Sequence, residues 1–448
     1  MMSRCVSFSL LMCLLALVGC SRLPFQPGSD RLDNTIIPDS GLSTSMPATL
    51  TAEQLVTPRV PGETGIITGT TGAGILRIWL PPEFDPAGNS PASQLFYARL
   101  EEFAAQHPGT ELDVRVKALE GTGGMLDALV SANAAAPLAL PDLVLLPRPL
   151  LESAALKGLL HPFDGFSSLM DDPGWFDYAR QLSQLKSSTY GMPFAGDALA
   201  LVYQPSKVDN PPNNLETAIS LGEALLFPAA DPQALFTLGQ YLATGESLQD
   251  ADGRPSLAPD TLEGILKDYQ RASQAGVMPY WITQYVSDEQ VWEAFKDGQF
   301  PMAVMWLSTT MKNKKGSPED LSLEAIPTQD GYPFTLATGY SWALAGVEPE
   351  RRALAVQLAE FLVEKEFLAS WTSAAGYLPP RLDALRGWED TPYRQLIEKI
   401  SYSAHLMPPA DLISSIGPAM EQAVVDVLKA QNSPENAAQT AIDRINKP

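Results

Sequence analysis

Apolar residues in the segment 75–146 switch between strand-like and helix-like spacing. Residues 75–80 form an apolar run that ends at two prolines, which predicts a buried strand opening into a loop. Helical spacing over 96–103 is followed by alternation over 112–116, and a further helical stretch precedes the apolar run 143–146. A run of this length is typical of a parallel strand covered on both faces. The alternation of strands and helices predicts an α/β fold.

Helical patterns dominate the second half of the chain. A strand is predicted over 198–203. Amphipathic helices are then predicted over 262–269, 354–362 and 420–428, where apolar residues recur at spacings of three and four. Ser433 offers a cap for a short final helix, because a proline and an acidic residue follow it. With 448 residues, the chain is long enough for two or three globular units.

The amino-terminal segment 1–19 has the features of a secretory signal peptide. Arg4 gives a basic start, and the apolar run 6–18 is too short to span a bilayer as a helix. The run ends in Leu-Val-Gly followed by Cys20, which resembles the bacterial lipoprotein signal. That resemblance implies export, acylation of Cys20, and anchoring to the outer or periplasmic face of a bacterial membrane.

Residues 20–72 are rich in Pro, Thr, Ser and Gly and lack a sustained apolar period, which predicts a flexible stalk. The other two cysteines, Cys5 and Cys13, lie in the segment expected to be removed. Neither a disulfide framework nor a cysteine-based metal site is therefore expected in the mature chain.

Charge and composition argue against two classes of protein, nucleic-acid binders and wholly disordered chains. The chain has 30 Lys and Arg against 52 Asp and Glu, a formal net charge of −22, so its field repels phosphate backbones and argues against nucleic-acid binding. Hydrophobic residues make up 45% of the chain, which excludes a wholly disordered polymer.

Common catalytic and metal-binding motifs are missing from the sequence. The three histidines, His107, His161 and His405, have no second ligand at helical spacing, so a packed or solvated histidine is the better interpretation of each. The glycine- and serine-containing segment 339–343 lacks the second glycine of a nucleophile elbow. We expect no cofactor, no metal site and no enzymatic activity.

Tyrosine and tryptophan residues in the second half of the chain indicate a ligand-binding cleft. They stand near scattered carboxylates and few cations, a combination that suits a cleft stacking on sugar-ring faces while hydrogen-bonding hydroxyl groups. A packed core position is the alternative for any single one of them. The residues are Trp281, Tyr285, Trp306, Tyr340, Trp342, Trp371 and Tyr377.

The order of several short segments resembles the extracellular solute-binding proteins of carbohydrate-type ABC importers. The resemblance covers roughly 75–446, and each piece is degenerate alone but specific in combination. The pieces are Leu-Arg-Ile-Trp at 76–79, Pro-Asp-Leu-Val at 141–144, Tyr-Gly-Met-Pro-Phe at 190–194, the stretch 295–303, and Gly-Tyr-Leu-Pro-Pro-Arg at 376–381.

The resemblance implies a two-lobed α/β fold of the type II periplasmic-binding-protein class, with ligand held in the cleft between lobes. The predicted first lobe comprises 73–196 and 326–372, and the second comprises 197–325 and the carboxy-terminal helices in 373–448. The implied function is a monomeric receptor that closes on a small molecule, a saccharide above all, and presents it to ABC permease subunits. Its membrane contact would be the lipid alone.

The resemblance also implies a set of ligand-binding side chains, three acidic and four aromatic. Each has an alternative interpretation. Glu83 could be a solvated loop acid, Asp197 a turn-forming aspartate and Asp231 a helix N-cap, and each aromatic residue could be packed in the core. The implied residues are Glu83, Asp197, Asp231, Trp306, Tyr340, Trp342 and Tyr377.

Two other functions fit the same residues. A secreted glycan hydrolase could use Glu83, Asp197 or Asp231 as its catalytic carboxyl pair. The same fold could also bind a non-sugar solute: a polyamine would favour more carboxylates, and an anion would favour arginines or helix N-termini.

Overall fold

The protein is represented by a computed structural model that describes residues 65–67, 74–313 and 320–446. The predicted signal peptide 1–19, the proposed lipidation site Cys20, and all of the predicted stalk except 65–67 lie outside the described residues.

Twelve strands are formed by the described residues, and they are short except for two that carry ten or more residues. They are β1 (Gly65–Ile67), β2 (Gly74–Leu80), β3 (Thr110–Val116), β4 (Leu143–Pro147), β5 (Gln184–Leu185), β6 (Ser188–Thr189), β7 (Met192–Tyr203), β8 (Leu225–Leu226), β9 (Met302–Trp306), β10 (Ser322–Glu324), β11 (Thr335–Leu344) and β12 (Ala404–Leu406).

Fifteen α-helices are formed by the same residues. They are α1 (Pro91–Gln106), α2 (Met125–Ala135), α3 (Arg148–Leu156), α4 (Asp177–Ser183), α5 (Leu215–Leu221), α6 (Leu235–Ala243), α7 (Pro259–Gln274), α8 (Asp288–Phe295), α9 (Leu307–Lys312), α10 (Pro349–Leu362), α11 (Lys365–Ala375), α12 (Leu382–Arg386), α13 (Pro392–Tyr402), α14 (Ala410–Leu428) and α15 (Pro434–Ile445). Among the described residues, no helix combines the length and apolar character that crossing a bilayer requires.

Ten of the strands form one sheet in the order β1-β3-β2-β4-β11-β7-β9-β8, with β12 beside β11 and β10 beside β7. The pairs β2–β3, β2–β4, β8–β9 and β11–β12 are parallel, and the others are antiparallel. Helices α1 and α10 pack on the β2–β11 half and α11 packs on α1, whereas α7, α14 and α15 pack against one another. The predicted two-lobed α/β fold is confirmed.

Strand β7 connects the two halves of the sheet. Its first part, through Ala198, pairs with β11, and the part from Leu199 onward pairs with β9. All of its residues except Tyr203 are buried, as expected of a strand covered on both faces. One chain segment therefore passes from one half to the other, and residues near position 198 lie at the junction.

Strand β1 lies within the segment predicted to be a stalk. Gly65 to Ile67 pair antiparallel with Leu112 to Val114 of β3 at the edge of the sheet. For these three residues the prediction of a flexible stalk is wrong, because their backbone joins the sheet. Three residues are too few to show an apolar period, so the sequence pattern did not indicate this strand.

Candidate functional site

A cavity of about 390 Å³ lies at the junction between the two halves of the sheet. The first half contributes Glu83, which follows β2, Pro147 at the end of β4, and Pro149 in the first turn of α3. Strands β7 and β11 contribute Asp197, Thr338 and Tyr340, and the second half contributes Trp306 at the end of β9. Side chains from both halves thus face one partly open cavity, as expected for ligand clefts at the ends of strands in α/β folds.

Asp197 is the buried carboxylate of the cavity. Its Oδ1 accepts hydrogen bonds from the backbone N–H of Ala198 at 2.9 Å and from the N–H of Ser308, at the start of α9, at 3.0 Å. Burial raises the pKa of Asp197 to about 6, because the loss of hydration outweighs these hydrogen bonds. The carboxylate is therefore ionised at neutral pH and becomes neutral in mildly acidic solution.

Tyr340 and Glu83 form the polar edge of the first half. The Tyr340 hydroxyl donates to Glu83 Oε1 at 2.5 Å, and the exposed Glu83 side chain lies at the cavity wall. The Tyr340 ring meets Phe84 edge-on, with 4.7 Å between ring centroids. Burial raises the pKa of Tyr340, and Tyr377 and Glu83 add to the effect, so the phenol stays a hydrogen-bond donor. This contact fixes one Glu83 oxygen beside the cavity.

Tyr377 has both a ring partner and a cationic neighbour. Its ring stacks on Phe84 with 5.5 Å between centroids and 12° between planes, while Lys312 Nζ lies 3.8 Å from the Tyr377 ring centroid. Burial raises the pKa of the Tyr377 hydroxyl. Trp371 and Tyr340 also lie against this ring, so Tyr377 offers the cavity mainly its edge and hydroxyl.

Trp306 presents a ring that no other aromatic side chain of the described residues contacts at stacking distance. It is half-buried, ends β9, and occupies the N-cap position of α9. An indole that is partly exposed to a cavity offers an apolar face for a flat or ring-shaped ligand.

Lys312 and Ser308 also line the cavity, although no sequence pattern predicted them. The walls of the cavity lower the pKa of Lys312 by desolvation, and Asp197, Glu83 and Glu289 oppose that effect. Both residues lie in α9, the short helix after buried strand β9. Their position after the end of a strand is the signal that could have identified them, since such positions collect at ligand clefts.

Asp231 does not line the cavity, which corrects the sequence expectation. Its Oδ1 accepts from the N–H of Gln233 at 2.9 Å, and its Oδ2 accepts from the N–H of Leu235 at 3.1 Å. Burial raises the pKa of Asp231. Both carboxylate oxygens therefore bond to backbone N–H groups of the turn before α6. Gln233 and Leu235, instead of Asp231, line the cavity. Asp231 is a turn-forming residue that lies three positions before Ala234, the N-cap of α6.

Trp342 is likewise not part of the cavity, and its predicted ligand contact is wrong. Its side chain is 0% exposed, and its ring packs against Phe96 and Phe194 at centroid distances of 6.1 and 5.3 Å. Trp342 stands two residues beyond Tyr340 on β11, so both belong to the same face of the sheet. The two residues differ in what packs over them. Phe96 of α1 covers the sheet face at Trp342, whereas the cavity lies over Tyr340.

The described residues contain no group of three His, Cys, Asp or Glu side chains placed to hold a metal ion. The chemistry of the cavity is that of two carboxylates, one ammonium group, tyrosine hydroxyls and an indole face. Such a set can hydrogen-bond a neutral, hydroxyl-rich molecule in both directions while packing against its apolar face.

The sequence over residues 98–394 matches the family described as bacterial extracellular solute-binding protein. The fold is similar to that of a cyclic α-maltosyl-1,6-maltose binding protein from Arthrobacter globiformis, with 17% identity, a TM-score of 0.69, and coverage of 84% of this chain and 98% of that one. It is also similar to the sugar-binding protein MalE from Xanthomonas citri, with 19% identity, a TM-score of 0.69, and coverage of 83% and 96%.

A third similar structure is an ABC transporter solute-binding protein from Thermotoga lettingae bound to α-D-tagatose. It shares 20% identity and a TM-score of 0.61, and the match covers 84% of this chain and 99% of that one. These structures share the architecture of this chain over nearly their whole length.

Proposed function

Because the chain belongs to the bacterial extracellular solute-binding proteins, we propose that it binds a saccharide in the cavity between its lobes and delivers it to an ABC importer. The observation that carries the ligand class is the pairing of the Glu83 and Asp197 carboxylates with the half-buried indole of Trp306 around one cavity. Similar folds named for cyclic maltosyl-maltose, MalE and tagatose binding support the same class.

The proposed binding mode follows from donor and acceptor chemistry. Sugar hydroxyls donate to the carboxylates of Glu83 and Asp197 and accept from the ammonium group of Lys312. The apolar C–H face of a pyranose or furanose ring packs on Trp306. Charged partners strengthen such hydrogen bonds, so a neutral ligand with many hydroxyls gains most from this set.

Ligand binding and lobe closure are coupled in this proposal. Glu83 comes from the first half of the fold, and Trp306 and Lys312 come from the second. A ligand that contacts both halves stabilises the closed arrangement alone, so its binding free energy shifts the population toward that arrangement. The importer then recognises the closed surface, and no chemical step is required.

Lys312 argues against a polyamine as ligand, because an ammonium group in the cavity repels a polycation. Glu83 and Asp197 argue in the same way against a small anion. A neutral polyol avoids both penalties. A glycan hydrolase would instead convert its ligand, so product analysis after incubation separates it from a receptor.

The proposal includes the amino-terminal features. Residues 1–19 act as signal peptide, lipid on Cys20 anchors the exported chain, and 20–72 connect the anchor to the lobes. We assign 73–196 and 326–372 to the first lobe and 197–325 and 373–448 to the second. The protein acts as a monomer with ABC permease subunits as its partners.

Thermal unfolding of the full chain in the presence of candidate ligands tests the ligand class. The panel contains maltotriose, tagatose, other mono- and oligosaccharides, spermidine and inorganic phosphate. A ligand at 100 times its Kd stabilises the native state by about 2.7 kcal/mol, which gives a measurable rise in Tm. A rise with a saccharide that is recovered unchanged supports the receptor. A rise confined to spermidine or phosphate contradicts the saccharide assignment.

A further inference from the structure

The outer edge of β9 loses its strand neighbour before the strand ends. β8 pairs only with Met302 and Ala303 of β9, while β7 continues to pair with β9 as far as Trp306. In the described part of the chain, the last residues of β9 therefore have a strand on one side alone. Their backbone groups on the other side need a different partner, since buried N–H groups are almost always hydrogen-bonded.

A side chain supplies that partner at Trp306. The backbone N–H of Trp306 donates to Asp288 Oδ2 at 2.5 Å, so this carboxylate takes the place that a strand carbonyl would occupy. Asp288 is the first residue of α8, and α8 packs on β9. Val291, Trp292 and Phe295 are buried and attach α8 to the core. Asp288 is thus held by a fixed helix.

A second carboxylate holds the same turn two residues later. Asp197 Oδ1 accepts from the N–H of Ser308, the second residue of α9. The turn from β9 into α9 carries Trp306, Ser308 and Lys312 to the cavity, and it is attached to α8 by Asp288 and to β7 by Asp197. Of the two carboxylates, Asp197 lines the cavity, whereas Asp288 is not among the lining residues.

We propose that Asp288 is a positioning residue that orients the Trp306 indole toward the ligand through the Trp306 backbone N–H. The inference rests on the proposed function, because it takes Trp306 as the surface on which the ligand packs. Asp288 itself touches no ligand. Its carboxylate fixes the last backbone amide of β9, and the direction of the Trp306 side chain follows from the position of that backbone.

The charges around Asp288 make its effect dependent on pH. Asp197 on β7, Asp231 before α6 and Glu289 on α8 all disfavour the ionised form, and burial is the largest cause. Together they raise the pKa of Asp288 to about 7. Lys312 on α9 interacts with two of these acids, Asp197 and Glu289. Protonation near neutral pH turns a charge-assisted hydrogen bond into a weaker neutral one.

Two substitutions separate positioning from simple loss of charge. Asp288→Asn removes the charge but keeps a side-chain oxygen that can accept from Trp306 N–H. Asp288→Ala removes both charge and acceptor. The matched control is Glu289→Gln, which neutralises the next acid of the same helix turn, an exposed side chain with no bond to Trp306 in the described structure.

The first readout needs no ligand. The full chain is labelled with 5-fluorotryptophan, its eight tryptophans are followed by ¹⁹F NMR, and Trp306→Phe identifies the Trp306 signal. We expect Asp288→Asn to reproduce the wild-type signal at low pH and to lose its titration near pH 7. We expect Asp288→Ala to shift or broaden the Trp306 signal more than either protonation of wild type or Asp288→Asn does. In Glu289→Gln, the Trp306 signal should still titrate near pH 7. Identical signals for Asp288→Asn and Asp288→Ala would show a field effect alone and overturn the proposal.

The second readout uses maltotriose as the probe in calorimetric titration at pH 8. We expect binding roughly 5- to 10-fold weaker in Asp288→Ala, the size expected for one lost hydrogen bond, and a smaller loss in Asp288→Asn, which keeps the acceptor but not the charge. Equal weakening in both variants contradicts positioning. If wild type does not bind maltotriose, that result counts against the proposed ligand, while the NMR comparison still decides the role of Asp288. If Asp288→Ala does not fold, Asp288→Leu, which also lacks charge and acceptor, replaces it in both comparisons with the same criteria.

Discussion

Gly196 of β7 and Gly339 of β11 lie directly opposite each other where the two long strands pair between the halves of the sheet. A Cβ atom on Gly339 would lie 2.4 Å from the Ala195 carbonyl oxygen, and one on Gly196 would lie 2.2 Å from the Tyr178 hydroxyl. Neither distance is possible for non-bonded atoms. The close approach of β11 to β7, which brings Asp197 and Tyr340 to one cavity, therefore requires glycine at 339, whereas glycine at 196 leaves room for the Tyr178 hydroxyl.

We predict that Gly339→Ala lowers the free energy of unfolding by roughly 1–3 kcal/mol, because the obstructing atom is backbone and the strands must separate. Gly264→Ala is the matched control. It lies in α7, where the added Cβ meets only a side-chain nitrogen at 3.7 Å, and alanine favours helix over glycine. Chemical denaturation checks both variants. Equal stability of Gly339→Ala and wild type would contradict the steric argument.

Much of the fold was predictable because burial on both faces leaves continuous apolar runs. The runs at 75–80 and 143–146 correspond to β2 (Gly74–Leu80) and β4 (Leu143–Pro147). The strand predicted at 198–203 instead begins at Met192. Pro193 and Gly196 concealed its first half, since both residues disfavour strands in sequence patterns. Pro193 is accommodated where the pairing with β11 is irregular.

The site was harder to predict than the fold, because side-chain type does not reveal which part of a sheet face is covered. Tyr340 and Trp342 share one face of β11, yet only Tyr340 reaches the cavity. Asp197 lies within β7 and lines the cavity, whereas backbone N–H groups of the turn before α6 occupy the Asp231 carboxylate. Lys312 was missed since a lysine near the end of a short helix has no distinguishing sequence pattern.

A comparison of two tryptophan variants checks these different environments. We predict that Trp306→Ala weakens saccharide binding roughly tenfold or more while leaving Tm nearly unchanged, as for a central contact residue. Trp342→Ala should lower the free energy of unfolding by about 3–5 kcal/mol, because it empties a core site. Titration calorimetry and denaturation on both variants give the test. Unaltered affinity in Trp306→Ala would remove it from the proposed site.

The proposed lipid anchor gives a prediction for intact cells. We predict that Cys20→Ser moves the protein from the membrane fraction to the soluble fraction, because no other residue is proposed to carry a lipid. Cys5→Ser and Cys13→Ser are the controls, since both lie in the segment expected to be removed. Fractionation followed by immunoblotting measures the distribution. A Cys20→Ser protein that stays in the membrane fraction would refute the anchor.

The buried carboxylate Asp197 makes both stability and binding depend on pH, with opposite signs. Burial raises its pKa from the usual 3.8 to about 6, so the folded state binds more protons than the unfolded state between these values. Its contribution to stability is therefore greatest below pH 4 and is lost as pH rises toward 6. The shift of about two units corresponds to roughly 3 kcal/mol. Saccharide hydroxyls, in contrast, donate more strongly to the ionised carboxylate.

We therefore predict that saccharide affinity falls as pH decreases through about 6, while the Asp197 contribution to stability grows. Asp197→Asn should remove both effects: its affinity is lower than that of wild type at pH 8 and shows no step near pH 6. Calorimetric titration and denaturation from pH 5 to 8 measure the two dependences on the same samples. A step in affinity near pH 6 that persists in Asp197→Asn would assign that titration to another group, and an unchanged affinity of Asp197→Asn at pH 8 would remove Asp197 from the proposed ligand contacts.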